Sequence, residues 1–225
     1  QHFLIDGNLI GRLVSAAGIT PDDVVLEVGP GTGALTERLI EAAGSVVAVE
    51  IDRGLHAICR ERFAGCDRLT LIHTDILASK GVVAPEVLTA VTGHRRRLGG
   101  RAMLVANLPY QVASPLLIDL LTGSLPVSPL CFTVQAEVAD RITAAPGGAE
   151  YGPVSVIVQA LGSVRRIARV PPQAFWPVPG VDSAMLRVDC RPDAVGGAER
   201  ARLLALVHGS FQHRRKTMRS NLREL

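Results

Sequence analysis

"LEVGPGTGALTERL", residues 26–39, changes character twice within one short stretch. An apolar run ends at Val28, glycines follow at 29, 31 and 33, and apolar residues three and four apart begin near Ala34, as in a helix. Glycine permits the tight turn that such a switch needs and lets other groups approach the backbone closely. The helix behind it points its first amides into the gap. The pattern is that of the first βα turn of a nucleotide-type fold, and a dinucleotide would suit it too. Two details turn the reading elsewhere: the spacing is G-x-G-x-G rather than G-x-G-x-x-G, and Glu27 precedes the first glycine. A carboxylate there opposes a pyrophosphate and favours a cationic sulfonium carrying an amino-acid ammonium group. The plain alternative is a tight turn with no ligand.

Outward from this unit the chain keeps alternating. Apolar runs at 24–28, 46–50, 69–73, 103–106, 130–134, 154–160 and 184–188 read as strands. Residues 35–43, 54–63, 115–121 and 137–144 carry helical spacing, and 78–100 reads as a helix plus a surface loop. Strand–helix alternation gives an α/β fold, a Rossmann-like, mostly parallel seven-stranded sheet with helices on both faces. Residues 192–197, "PDAVGG", read as a linker. They separate a main domain, 1–191, from a segment at 198–225 that starts with a helical pattern over 199–208 and ends in a basic tract.

The chain has 225 residues, 48% hydrophobic and 20% charged, so it can bury a substantial core. Net charge is only +3, but the arginines cluster: His94-Arg95-Arg96-Arg97, Arg165-Arg166 with Arg169, and Arg214-Arg215-Lys216 with Arg219. Any single cluster reads first as a solvated face. Cys59, Cys66, Cys131 and Cys190 are far apart with no C-x-x-C spacing. That argues against a metal site or a disulfide framework and for a reducing, cytoplasmic setting. No apolar stretch is long enough to span a bilayer, so no membrane partner is expected. The sequence begins at Gln1 rather than Met and leaves any upstream leader open.

Ligands of such sheets lie beyond the carboxyl ends of the strands. The second strand ends at Glu50, 19 residues after Gly31, where a carboxylate can accept both hydroxyls of a ribose. The third ends in "HTDIL", where Asp75 can accept from an adenine amino group. Either acid alone serves equally well as a helix cap. The fourth ends at Asn107. A glycine turn, Glu, Asp and Asn on four successive strand ends form the layout of a class I S-adenosylmethionine site, with Gly29, Gly31, Gly33, Glu50, Asp75 and Asn107 around the cofactor.

"NLPY", residues 107–110, asks for separate chemistry. An exocyclic amine on adenine is a poor nucleophile because its lone pair is delocalised into the ring. Two acceptors gripping its N–H groups pull the nitrogen towards tetrahedral geometry and localise that pair. Asn107 offers a side-chain oxygen. Leu108 offers a carbonyl held by the rigid bond to Pro109. Tyr110 can stack on a base that has left its own stack. The plain reading is an Asx-turn with a buried tyrosine. A second aromatic, Phe175 or Trp176, sits in the proline-rich "VPPQAFWPVPGVDSAM", which alone reads equally well as a core plug.

Taken together, the chain resembles the KsgA-type ribosomal RNA adenine N6-dimethyltransferases. The resemblance runs through "QHFL" at 1–4, "EVGPGTGALT" at 27–36, Glu50, Asp75, "NLPY", "QAEVADRI" at 135–142, "YGPVSV" at 151–156, "VPPQAFWPVPGVDSAM" at 170–185 and "FQHRRKTMRSNL" at 211–222. It implies dimethylation of two adjacent adenosines near the 3′ end of small-subunit ribosomal RNA, by a monomer acting on the small subunit. It also implies that His2 and Leu4 line the cofactor site, that Tyr110 and Phe175 sandwich the target adenine, and that Arg214, Arg215, Lys216 and Arg219 begin an RNA-gripping helical domain. Where this chain has His2, Gln111 and Ala136, the family usually has Asn, Asn and Lys. The stretch 84–100 is longer than usual, and the sequence stops at Leu225, before most of the helical domain such proteins carry. An Erm-type large-subunit methyltransferase shares the catalytic motifs, though "FQHRRKTMRSNL" and "VPPQAF" favour the small-subunit type. A non-catalytic RNA-binding descendant would not need the intact Glu50, Asp75 and NLPY, and a dehydrogenase would not need NLPY.

Overall fold

The computed structural model describes residues 2–79, 82–109, 112–123, 125, 127–191, 197–212 and 217–221. The first half of the chain contributes β1 (Phe3–Leu4), α1 (Gly7–Ala17), β2 (Val24–Val28), α2 (Ala34–Ala42), β3 (Ser45–Glu50), α3 (Arg53–Arg62), β4 (Leu69–His73), a small hairpin of β5 (Leu77–Ser79) and β6 (Val82–Val83), α4 (Pro85–Leu98) and β7 (Ala102–Asn107). The second half adds α5 (Ala113–Thr122), β8 (Val127–Gln135), α6 (Ala136–Thr143), α7 (Pro153–Leu161), β9 (Gly162–Val170), β10 (Phe175–Trp176), β11 (Ser183–Cys190), α8 (Gly197–Phe211) and α9 (Met218–Asn221).

Seven strands form one sheet in the order β4-β3-β2-β7-β8-β11-β9. The pairs from β4 to β8 are parallel, and β11 runs antiparallel to both β8 and β9. The chain therefore winds outward from β2 in one direction and then returns to lay β7 on its other side. That reversal opens a crevice beyond the carboxyl ends of β2 and β7, where the glycine turn and Asn107 stand.

Side-chain alternation along the parallel strands builds two cores, one on each face. Leu26, Val47, Val49, Leu104 and Ala106 join helices α4, α5 and α7 on one face. Val25, Val46, Ala48, Met103 and Val105 join Leu9, Leu13, Leu35 and Leu39 of α1 and α2 on the other. The starts of β2 and β7 are clamped by an ion pair: Arg101 donates from its backbone amide and guanidinium to Asp23, with the closest N–O distance 2.6 Å. Asp23 is 1% exposed. Burial pushes its carboxyl up, but the hydrogen bonds from Arg101 and Thr20 outweigh this and hold it at about 2.

One expected strand is a helix. Residues 154–160 lie inside α7, which starts at Pro153 and packs against α5, α6, α8 and β9. A helix covered on several sides is apolar around much of its girth, and a short apolar run of that kind is indistinguishable from a buried strand by periodicity. The strand in question is β9, immediately downstream, whose Arg165, Arg166 and Arg169 conceal it from a hydrophobicity reading. It is an edge strand of the sheet, and exposed arginines there discourage pairing with another chain. The stretch 78–100 holds α4 as expected, preceded by the β5–β6 hairpin. Beyond the linker, α8 spans the expected helix and packs on the main fold, burying Val207 and bringing Phe211 within 6.3 Å of the Tyr151 ring.

Candidate functional site

Gly29, Gly31 and Gly33 all have positive φ, 72°, 60° and 88°, a region that side chains other than glycine rarely adopt. A Cβ on each would meet a ring from elsewhere: Pro109 at 3.3 Å from Gly29, Phe3 at 2.6 Å from Gly31 and Phe63 at 2.5 Å from Gly33. These glycines thus let three rings seat on the turn, a packing role that the sequence reading of ligand approach did not contain. The turn is also held from α3. Arg62 donates to the Thr32 carbonyl at 2.7 Å and to Glu37 at 2.9 Å, and the Cys59 thiol donates to the Gly31 carbonyl at 3.1 Å.

Two carboxylates back this turn. Glu50, 2% exposed at the end of β3, accepts from the Gly31 amide at 3.2 Å through Oε2 and from the Asp52 amide at 2.9 Å through Oε1. A carboxylate has about four acceptor directions, so Glu50 keeps capacity for hydroxyl donors. Ile51 follows it with its side chain 61% exposed, an apolar platform at a strand end that the sequence reading missed. Glu27 is 1% exposed, and its Oε2 has no hydrogen-bond partner. Burial, with the charge of Glu50 adding to it, pushes the Glu27 carboxyl up to about 8. The nearby Thr36 hydroxyl works against that rise, although it lies outside hydrogen-bonding geometry and is itself buried and unpartnered.

Asp75 is exposed beyond β4 and accepts from the Leu77 amide at 3.0 Å, in a turn that leads into β5 and caps no helix. His73, at the end of β4, bonds the Ile51 carbonyl at 3.2 Å, and its ring lies 4.9 Å from that of His56.

Across the crevice, Asn107 ends β7 half-buried. Its Nδ2 donates to the backbone carbonyl of His2 at 3.1 Å. A carbonyl can only accept, so this contact assigns the carboxamide orientation and leaves Oδ1 as the acceptor end. The Leu108 amide donates to the Thr133 carbonyl at 3.1 Å, and the Pro109 carbonyl accepts from Val112 at 3.2 Å. Tyr110 lies outside the described residues.

A strap from the N-terminus covers this side. β1 pairs with β10, Phe3 opposite Trp176 and Leu4 opposite Phe175. The His2 ring donates from Nδ1 to the Pro177 carbonyl at 2.7 Å. Leu4 and Phe175, 4% and 2% exposed, point into the second core, whereas Trp176 is 63% exposed. The Phe175 ring has no open face here, because antiparallel pairing turns it inward beside Leu4. A base can stack on it only if binding uncovers the ring.

Of the basic tract expected to contact RNA, Arg214, Arg215 and Lys216 lie outside the described residues, and Arg219 is exposed on α9. Arg166 and Arg169 are ion-paired with Asp140 and Asp182. Arg95, Arg96 and Arg97 are exposed in the last turn of α4, at the end of the sheet opposite the crevice. Two open surface cavities, about 330 and 420 Å³, lie beside β9 and β11 and between α1 and α2. Neither contains a strand-end residue of the crevice, so the site is assigned from its chemistry. Among the described residues no group of three or more His, Cys, Asp or Glu could hold a metal ion, and no helix is long and apolar enough to cross a membrane.

The crevice fits S-adenosylmethionine on two observations: an unpartnered Glu27 oxygen buried behind the glycine turn calls for a cationic or donor group, and Glu50 retains acceptor capacity beside it. Several known methyltransferases resemble the chain. "Ribosomal RNA small subunit methyltransferase A" of Bacillus licheniformis is 40% identical over 223 residues, 99% of this chain and 74% of its own length. The protein of that name from Synechococcus elongatus is 40% identical over 230 residues, covering all of this chain and 80% of its own. A dimethyladenosine transferase from Plasmodium falciparum shares the fold with a TM-score of 0.79 at 24% identity, over 98% of this chain and 74% of its own. The 23S rRNA methyltransferase ErmE superposes with a TM-score of 0.74 at 26% identity, over 99% of this chain and 84% of its own. The profile of the family described as "Ribosomal RNA adenine dimethylase" matches residues 1–225. With the strand-end residues in place and the match running from one end to the other, the chain belongs to the ribosomal RNA adenine dimethylase family.

Proposed function

We propose that this chain transfers methyl groups to the N6 amines of two adjacent adenosines near the 3′ end of small-subunit ribosomal RNA, acting as a monomer on the small subunit. S-adenosylmethionine, when bound, supplies an electrophilic methyl on a sulfonium. Glu50 would accept from its ribose hydroxyls, Asp75 from its adenine, and Glu27 would face its ammonium group from behind the glycine turn, with His2 and Leu4 closing the strap beside it.

The observation that carries the reading is the Asn107 carboxamide, anchored through Nδ2 on the His2 carbonyl so that Oδ1 is presented as an acceptor. Oδ1 accepts one N–H of the adenine amine, and the Leu108 carbonyl, directed by the extended backbone before Pro109, accepts the other. Both bonds strengthen as the nitrogen becomes tetrahedral, so they act on the rate rather than on ground-state binding. Tyr110 and, once uncovered, Phe175 hold the extruded base by its faces. Arg214, Arg215, Lys216 and Arg219 neutralise RNA phosphates.

The large-subunit alternative has one observation in its favour, the superposition on ErmE. Incorporation of labelled methyl into undermethylated small and large subunits, followed by nucleoside analysis, separates the two. Label recovered as dimethyladenosine from small-subunit RNA supports the proposal, and label confined to large-subunit RNA overturns it.

A further inference from the structure

Trp176 is the chain's single tryptophan, and it stands 63% exposed beside the crevice. Scattered exposed apolar side chains are ordinary, but this one is built into a layered arrangement. In the β1–β10 ribbon, Phe3 and Trp176 share the face opposite to Leu4 and Phe175. The Phe3 ring lies on Gly31, and the Trp176 indole stacks on Phe3 with centroids 6.5 Å apart and planes 21° apart. Glycine backbone, phenyl ring and indole thus follow one another outward, and the last layer faces solvent. The same strap carries the His2 carbonyl that holds Asn107, and the His2 ring bonds the carbonyl of Pro177 directly after the indole. The platform is therefore fixed relative to the acceptor oxygen.

An adenine whose amine is to reach Asn107 must leave its stack, and its neighbour then loses one stacking partner. Indole faces hold bases of any identity through stacking. Resting on the RNA substrate proposed above, we propose that the open face of Trp176 is a stacking site for the nucleobase adjacent to the target adenosine. For two neighbouring adenosines, one occupies the crevice while the other lies on the indole, and the pair exchanges places for the second modification.

Because no other tryptophan is present, indole fluorescence reports the contact directly. The full chain, with the demethylated cofactor product present to prevent turnover, is titrated with a single-stranded RNA oligomer containing the two adenosines. Parallel titrations use oligomers abasic on the 5′ or the 3′ side of the target. Quenching by the intact oligomer that is lost with one of the abasic versions supports the platform. Quenching that survives in both, or RNA binding without quenching, overturns it. In subunit methylation, Trp176→Ala is expected to raise KM for small subunits roughly 5- to 100-fold with cofactor affinity within about twofold, and Trp176→Phe to recover most of the loss. An unchanged KM in Trp176→Ala contradicts the inference. Failure of the wild-type chain to label small-subunit RNA strikes the proposed substrate, whereas labelled subunits with an unresponsive indole strike the platform alone.

Discussion

Glu50 is held by amides 19 and 2 positions away in the chain, whereas Asn107 is oriented by His2, 105 positions away, and His2 in turn by Pro177, 175 positions away. The half of the crevice proposed to hold the cofactor is a local product of βαβ winding. The acceptor half is assembled from the N-terminal strap, the end of β7 and the loop after β10. The contrast teaches that the two halves can fail separately: damage to the first should appear in cofactor affinity, and damage to the second in turnover.

The largest expected effect lies in the acceptor half. Asn107→Ala should lower turnover at saturating cofactor by roughly 10²- to 10³-fold, with a far smaller loss of cofactor affinity and a melting temperature close to wild type. Near-normal turnover would break the comparison at its centre. In the cofactor half, Glu50→Gln should weaken cofactor binding by about 10- to 100-fold in calorimetry. Turnover at saturation should be affected far less. An equal loss in both parameters would show that the halves are not separable.

Gly31 lies where the halves touch, and Gly65 provides its control. Both have positive φ, 60° and 79°, but a Cβ at Gly65 meets nothing within 4 Å while one at Gly31 meets Phe3 at 2.6 Å. Gly65→Ala should cost about 1 kcal/mol of stability from backbone strain alone. Gly31→Ala should cost about 3 kcal/mol, because the Phe3 ring must also shift. Equal losses on chemical denaturation would mean the strap does not press on the turn.

The Asp23–Arg101 clamp joins the roots of the two strands that carry the halves. The folded pKa of Asp23, about 2, lies below the ordinary 3.8. The stability it provides is therefore present above pH 3.8 and lost as pH falls through about 2, a contribution of about 2 kcal/mol. Asp23→Asn should flatten the acid limb of a stability-against-pH curve, and an unaltered limb would remove the clamp from the account.

Glu27 has the opposite sign and is read most simply through proton release. Its folded pKa of about 8 lies above the ordinary 4.5, so the folded chain holds a proton that the unfolded chain releases. The associated stability is complete below pH 4.5 and disappears as pH rises through 8. A cationic ligand favours the charged carboxylate. Cofactor binding at pH 7 should therefore release up to about one proton, measurable from calorimetry in buffers of different ionisation enthalpy, and the release should shrink above pH 8. Binding without proton release would mean that the ammonium group is not placed against Glu27.

The strand ends of the crevice were largely legible in the sequence, because they announce themselves by apolar runs. Glu50 and Asn107 stand at the ends of β3 and β7 as expected. Asp75 stands beyond β4 in a turn that leads into β5 rather than capping a helix. What the sequence hid was long-range contact. The seats of Phe3, Pro109 and Phe63 on the three glycines, the pairing of β1 with β10 and the inward turn of Phe175 depend on segments brought together by folding. Periodicity failed at α7 and β9 for complementary reasons: a helix buried on several sides looks like a strand, and an edge strand rich in arginine does not.

The most direct test of the central claim is a solved complex with the demethylated cofactor product and a target adenosine. The account predicts the adenine N6 within about 3 Å of both Asn107 Oδ1 and the Leu108 carbonyl, with the Asn107 Nδ2 still on the His2 carbonyl and the product seated over Gly29. A carboxamide turned so that its oxygen faces away from N6, or a crevice over Gly29 filled by another kind of ligand, would contradict it.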